Sequence, residues 1–130
     1  MAKILVIDDS QMMRLYLKRC LEQAGFQVEA WLPLSAMEIA GKIQESAPDL
    51  VLTDFQMPGC NGATVARMVF KTDPRIPLLV LTAFRDAEME AGLAKFGVKE
   101  ILAKPIQPDR LVASVRLALD SAANAIANGT

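Results

Sequence analysis

Apolar residues follow two alternating rhythms along this chain. Short runs of Ile, Val and Leu recur every 22 to 28 residues, at 4–7, 28–32, 50–53, 78–81 and 101–103. Each is too short for a helix, and Gly25, Pro48, Pro77 and Gly97 bound them with turn chemistry. The stretches between them place their apolar residues at helical spacing. In the first, Met13, Leu17, Cys20, Leu21 and Ala24 share one face, and Ser10 sits where an N-cap belongs. Residues 35–47, 62–72, 86–96 and 108 to about 122 predict four more helices. Five strands alternating with five helices favour right-handed βαβ units and a parallel sheet covered on both faces.

Acidic residues close two of the runs. Asp8 and Asp9 follow the first and Asp54 follows the third. In an open α/β sheet the carboxyl ends of parallel strands share one edge, where ligands bind. A flavodoxin-like, doubly wound five-stranded sheet of order 2-1-3-4-5 puts strand 1 beside strand 3, so that order is expected. Three carboxylates gathered this way repel one another and raise each other's proton affinity unless a cation sits among them. A hard divalent ion with oxygen ligands suits them, and Mg2+ is expected. Two further strand ends bring Thr82 and Lys104 to the same edge.

Composition narrows the function. The 130 residues suit one domain, and an apolar half is enough for one core. Fourteen basic residues against fifteen acidic ones, with no Lys/Arg run, give no nucleic-acid surface. There is no histidine, which excludes Ser-His-Asp and Cys-His catalysis and any phosphohistidine on this chain. Cys20 and Cys60 lack metal-ligand spacing and read as reduced thiols. No signal-peptide pattern or membrane-length apolar stretch is present, so a cytoplasmic location is expected.

Asp8-Asp9, Asp54, Thr82 and Lys104-Pro105, in this order and spacing, with Met57-Pro58-Gly59 after Asp54 and Gly62 opening the third helix, closely resemble the receiver domain of two-component response regulators. The resemblance covers residues 3 to about 120. A receiver domain is expected over 1–122, and the Ala/Asn-rich end, 123–130, reads as a frayed or disordered tail. It implies that Asp54 is the phosphoacceptor, attacking a phosphohistidine on a partner histidine kinase or phosphotransfer protein. Asp9, Asp54 and the backbone carbonyl of Gln56 would hold Mg2+, with Asp8 acting mainly through a coordinated water. Lys104 would offset charge on the phosphoryl oxygens, and Thr82 would turn to the phosphoryl group and draw its loop inward as the output to a downstream protein target. The Lys104–Pro105 bond is commonly cis in the family. A protein whose only chemistry is on itself, rather than an enzyme, is expected, as a monomer or a phosphorylation-dependent dimer, with no direct contact to nucleic acid or membrane.

Blander readings compete. One aspartate could cap the first helix, Thr82 could be an ordinary strand residue and Lys104 a solvated lysine; the constellation outweighs them. Asp49 and Asp109 read as turn or cap residues, and Met12, Met13, Met37 and Met68 as core or partly exposed positions. Where many receivers carry Tyr or Phe, this chain has Ile101, which puts a switch by aromatic rotation in doubt. Gln56 and Phe84 flank the route of hydrolytic water, and Phe84 is expected to shield the phosphoryl group. Arg14, Leu15 and Lys18 on the first helix, with Ile106 after strand 5, are candidate kinase-docking residues, Leu15 and Ile106 as apolar anchors. A non-phosphorylated interaction scaffold is the alternative, and retention of all the acids, the threonine and the lysine argues against it. A haloacid-dehalogenase type lacks its Asp-x-Asp, a flavin protein its phosphate loop and a nucleotide binder its P-loop. The chain reads as a stand-alone single-domain regulator or an isolated receiver from a longer protein; the former is expected.

Overall fold

A computed structural model describes residues 1–127. Its strands are β1 (Lys3–Ile7), β2 (Gln27–Trp31), β3 (Leu50–Asp54), β4 (Leu78–Thr82) and β5 (Val98–Ala103); its helices are α1 (Gln11–Gln23), α2 (Ile39–Ser46), α3 (Gly62–Thr72), α4 (Ala87–Ala94) and α5 (Pro108–Ala127). All four strand pairings are parallel and the order is β2-β1-β3-β4-β5, as expected.

Strand alternation divides the core into two layers. On one face Ile4, Val6, Leu50, Leu52, Leu79, Leu81 and Leu102 pack against Leu17 and Leu21 of α1 and Leu111, Val115 and Ala118 of α5. On the other, Leu5, Ile7, Val51, Leu78 and Val80 meet Ile39 and Ile43 of α2, Val65, Ala66 and Val69 of α3, and Leu93 of α4. Every residue of β3 and β4 is buried, which explains why both strands read as unbroken apolar runs.

Side chains set the helix starts. Ser10 Oγ accepts the Met13 N–H at 3.3 Å, Asn61 Oδ1 accepts the Thr64 N–H at 3.0 Å, and Asp86 Oδ1 accepts the Met89 N–H at 2.7 Å. Asp49 holds the start of β1, accepting the Lys3 N–H at 2.7 Å.

Several boundaries differ from the sequence reading. Strand β5 starts at Val98, not residue 101, and its pairing with β4 shifts register near Leu78 and Leu79. The segment read as one helix over 35–47 opens with a 3₁₀ turn, Ala36–Glu38, before α2. Helix α5 runs to Ala127, so residues 123–127 continue the helix rather than starting a frayed tail; residues 128–130 lie outside the described residues. Met12 and Met37 are almost fully exposed, not core-filling.

Candidate functional site

Register puts the acids level. Ile7 pairs with Thr53, so Asp8 and Asp54 are the next residues on adjacent strands, and Asp54 itself pairs with Leu81, one residue before Thr82. Asp8 and Asp54 are buried, whereas Asp9 is exposed. The three carboxylates each offer an oxygen within 4.8 Å of the others.

Lys104 reaches in from the turn after β5. Its Nζ lies 2.7 Å from Asp54 Oδ1 and 3.8 Å from Asp8 Oδ2, and its N–H donates to Thr82 O at 2.9 Å. The Lys104–Pro105 peptide is cis, as the resemblance implied. Asp8 Oδ1 accepts the Ser10 N–H at 2.8 Å. Its other oxygen, Oδ2, is buried without a hydrogen-bond partner among the described residues. Burial pushes the Asp8 carboxyl above its ordinary range and the Asp54 charge adds to the rise, while the Ser10 N–H and Lys104 pull it down. A buried carboxylate oxygen with no hydrogen-bond partner among the described residues, beside one ammonium and two other carboxylates, is suited to be a cation ligand. This donor set, all oxygen and rich in carboxylate, fits a magnesium ion.

The loop after β3 is pinned to the core by buried Met57 and Cys60. Gly62 then lets α3 start hard against the strand end: its N–H donates to Phe55 O at 2.6 Å, and an added Cβ would lie 2.8 Å from Phe55 Cα and 3.2 Å from Asp54 O. Both of those neighbours are backbone that cannot swing aside. Gly62→Ala is therefore expected to cost about 1–3 kcal/mol, the usual scale of overpacking, read as a lower denaturant midpoint at unchanged slope. An unshifted midpoint would mean that the loop carrying Asp54 is not held by this contact.

Thr82 stands at the end of β4, buried, but its hydroxyl is turned into its own loop, donating to Phe84 O at 2.9 Å and accepting the Phe84 N–H at 3.2 Å. The Phe84 ring is 73% exposed, so to shield Asp54 it would have to fold in from solvent. Gln56 occupies the exposed turn two residues after Asp54.

The docking candidates divide. Leu15 is 60% exposed on α1, as an apolar docking anchor has to be, and Lys18 is half-buried beside it. Ile106 is a correction: only 7% exposed, it packs into the core with Leu111 and is no protruding anchor. Arg14 also turns inward, donating from Nη1 to the Asp8 carbonyl at 2.6 Å, where it braces the loop that carries both acids. Two contacts escaped the sequence reading. The Tyr16 hydroxyl donates to Ile106 O at 2.8 Å, tying α1 to the lysine-bearing turn. Between these elements lies an apolar groove of about 590 Å³ walled by Met12, Met13, Tyr16, Pro105 and Ile106. Arg85, after Phe84, donates to Ile101 O at 3.2 Å and pairs with Glu90.

Comparison with known proteins agrees with this geometry. The model of the response regulator receiver domain family matches residues 4–116. The chain is 34% identical over 110 residues to the chemotaxis protein CheY of Thermotoga maritima, covering 85% of this chain and 91% of that protein. It is 30% identical to the chemotaxis protein CheY of Bacillus subtilis, covering 91% and 98%. Among solved structures, a CheY-like response regulator receiver domain protein from Methanospirillum hungatei JF-1 superimposes with a TM-score of 0.87 at 24% identity, over 95% of this chain and 98% of that one. A response regulator receiver domain protein from Clostridium thermocellum gives 0.79 at 29% identity over the whole of both chains. With three acids and a lysine gathered at one sheet edge and the family's pattern running from β1 into α5, this chain belongs to the response regulator receiver domain family of two-component signalling.

Proposed function

We propose that Asp54 accepts a phosphoryl group from a phosphohistidine on a partner histidine kinase or phosphotransfer protein, with Mg2+ bound by Asp8, Asp9, Asp54 and the Gln56 carbonyl. One observation carries this reading: Asp8 Oδ2 is buried without a hydrogen-bond partner among the described residues, beside the Asp54 carboxylate. A scaffold would gain nothing from that cost, since a buried charge left incompletely paired destabilises the fold.

The chain's own residues supply nucleophile and positioning. An Asp54 carboxylate oxygen attacks phosphorus in line; the new O–P bond forms as the P–N bond to imidazole breaks, and the imidazole leaves with the electron pair. Lys104, 2.7 Å from Asp54, shifts its ammonium to the equatorial phosphoryl oxygens as charge spreads over them. Bound Mg2+ would contribute neutralisation of the same oxygens. Arg14 keeps the Asp8–Asp9 loop in place through the Asp8 carbonyl. Thr82 exchanges its bond to Phe84 for one to the phosphoryl group, and the loop follows. The chemistry stays on this chain, which makes it a switch rather than an enzyme with a separate substrate.

Its partners are then the phosphodonor protein and a downstream protein target, met as a monomer or a phosphorylation-dependent dimer. No helix among the described residues is long and apolar enough to cross a membrane, and a cytoplasmic location goes with this reading. Intact-mass measurement after incubation with acetyl phosphate, with and without magnesium, tests it. A gain of one phosphoryl group that requires the metal is expected; no gain under either condition would favour the scaffold.

A further inference from the structure

Helix α1 touches both halves of the pocket. Arg14 Nη1 donates to the Asp8 carbonyl at 2.6 Å, and the Tyr16 hydroxyl donates to the Ile106 carbonyl at 2.8 Å, two residues beyond Lys104. Positions 14 and 16 lie about 200° apart around an α-helix, so the two side chains leave it on nearly opposite sides. The helix between them is fixed. Leu17 and Leu21 are buried in the core layer that α1 shares with α5 and the sheet, and Ser10 caps its start.

The turn that carries Lys104 needs such a hold. Among the described residues, the backbone of 104–107 is tied at three points: the Lys104 N–H donates to Thr82 O at 2.9 Å, Gln107 O accepts the Leu111 N–H of α5 at 3.0 Å, and Ile106 O accepts the Tyr16 hydroxyl. Pro105 has no N–H to add another. Burial of the Ile106 side chain presses the turn onto the core, but apolar contact has no direction. A hydrogen bond has one, so the Tyr16 hydroxyl sets how the turn is rotated about that contact. The consequence falls on Lys104, whose Nζ stands 2.7 Å from Asp54 Oδ1. A lysine head group rides on a flexible four-carbon stem, and its place depends on where the backbone starts it.

Deepening the phosphoacceptor reading, on which it rests, we propose that Tyr16 is a positioning residue for phosphoryl transfer: its hydroxyl orients the 104–107 turn so that the Lys104 ammonium stands beside Asp54, where the phosphoryl oxygens arrive. Tyr16 touches no reacting atom. It acts through Lys104, and what it supplies is alignment, of which a loss of about 1 Å can cost about 10²-fold in rate. The hydroxyl and the ring have separate tasks. The ring walls the apolar groove with Met13, Pro105 and Ile106, and phenylalanine would keep that wall. Removing the hydroxyl leaves the ammonium within reach but no longer held, so the loss is smaller than that of removing the ammonium itself.

Tyr16→Phe, Lys104→Met and the double variant of the full chain test this. Phosphoryl uptake from acetyl phosphate is followed by intact mass across a magnesium titration, with rates taken per folded molecule from a denaturant titration. In this assay an Asp54 oxygen bonds to phosphorus as the bond to acetate breaks, and acetate leaves with the electron pair. Tyr16→Phe is expected to lower the rate at saturating magnesium about tenfold. The magnesium concentration that gives half of that rate should stay the same or fall, because a loosened ammonium competes less for the acid oxygens. Added to Lys104→Met, the same substitution should change the rate by less than about twofold, since effects that pass through one group are not additive. A merely structural brace would instead weaken magnesium binding and add its full effect to Lys104→Met. The inference is overturned if Tyr16→Phe reacts at the wild-type rate, if it loses magnesium affinity, or if its tenfold effect persists beside Lys104→Met. No phosphoryl gain in the wild type would overturn the phosphoacceptor reading itself, and this inference with it.

Discussion

Lys104→Met is expected to slow phosphoryl uptake from acetyl phosphate by about 10²-fold, the usual cost of losing one donor aimed at transition-state charge, while tightening magnesium binding. The two effects run in opposite directions for one reason. The Lys104 ammonium lies between Asp54 Oδ1 and Asp8 Oδ2, at 2.7 and 3.8 Å, and competes with a cation for the same oxygens. Methionine keeps the length of the side chain and removes the charge, so the acids hold a divalent ion more firmly. The lost step is different: with no ammonium to follow the phosphoryl oxygens, the transition state keeps charge that bound magnesium would have to offset alone. Titration calorimetry and a time course of intact mass measure the two separately. A fall in both affinity and rate would show that Lys104 merely holds the pocket together.

Asp8→Asn is expected to make the metal-free protein more stable at neutral pH and to abolish most of its response to magnesium. The asparagine oxygen can still accept the Ser10 N–H, while the buried, unpartnered anionic oxygen disappears. Relief of an incompletely compensated buried charge is worth about 1 kcal/mol or more. The pH dependence has a definite sign. Because burial raises the folded Asp8 pKa above its ordinary 3.8, the wild-type side chain penalises the fold only when ionised. The advantage of the variant is therefore full above the folded pKa, shrinks as pH falls through it, and is gone below the unfolded value. With magnesium at ten times its dissociation constant the wild type gains about 1.4 kcal/mol, and the order of stability narrows or reverses. Denaturant titrations in EDTA and in magnesium check both halves. A variant less stable than wild type in EDTA would mean that the Asp8 charge is satisfied as it stands.

Much of this was legible in the chain because burial writes itself plainly on some elements. Strands β3 and β4 are covered on both faces and hence apolar throughout, and acids placed directly after such runs are conspicuous. Strand β5 was half missed because it is an edge strand: Lys99 is exposed and half-buried Glu100 pairs with Arg110, so its first half reads as polar. The end of α5 was missed for the opposite reason. Its Ala/Asn-rich sequence has no apolar stripe to announce it, yet alanine is the strongest helix former. Within the site, the carboxylates and Lys104 were visible as strand-end residues. Arg14, Tyr16 and Arg85 were not, because each acts on a backbone carbonyl, and no pattern of side-chain types marks a carbonyl as a partner. Ile106 was misplaced because the resemblance makes the loop after strand 5 a docking segment, whereas the turn buries this side chain in the core layer that includes Leu111.

The most direct measurement is the position of the acyl phosphate. After reaction with acetyl phosphate and magnesium, borohydride reduces an aspartyl phosphate to homoserine, which peptide mass mapping locates. Homoserine at residue 54 alone, absent when magnesium is withheld and absent from Asp54→Asn, is the expected result. Homoserine at Asp8 or Asp9, or none at all in protein that has gained a phosphoryl group, would contradict the assignment of Asp54.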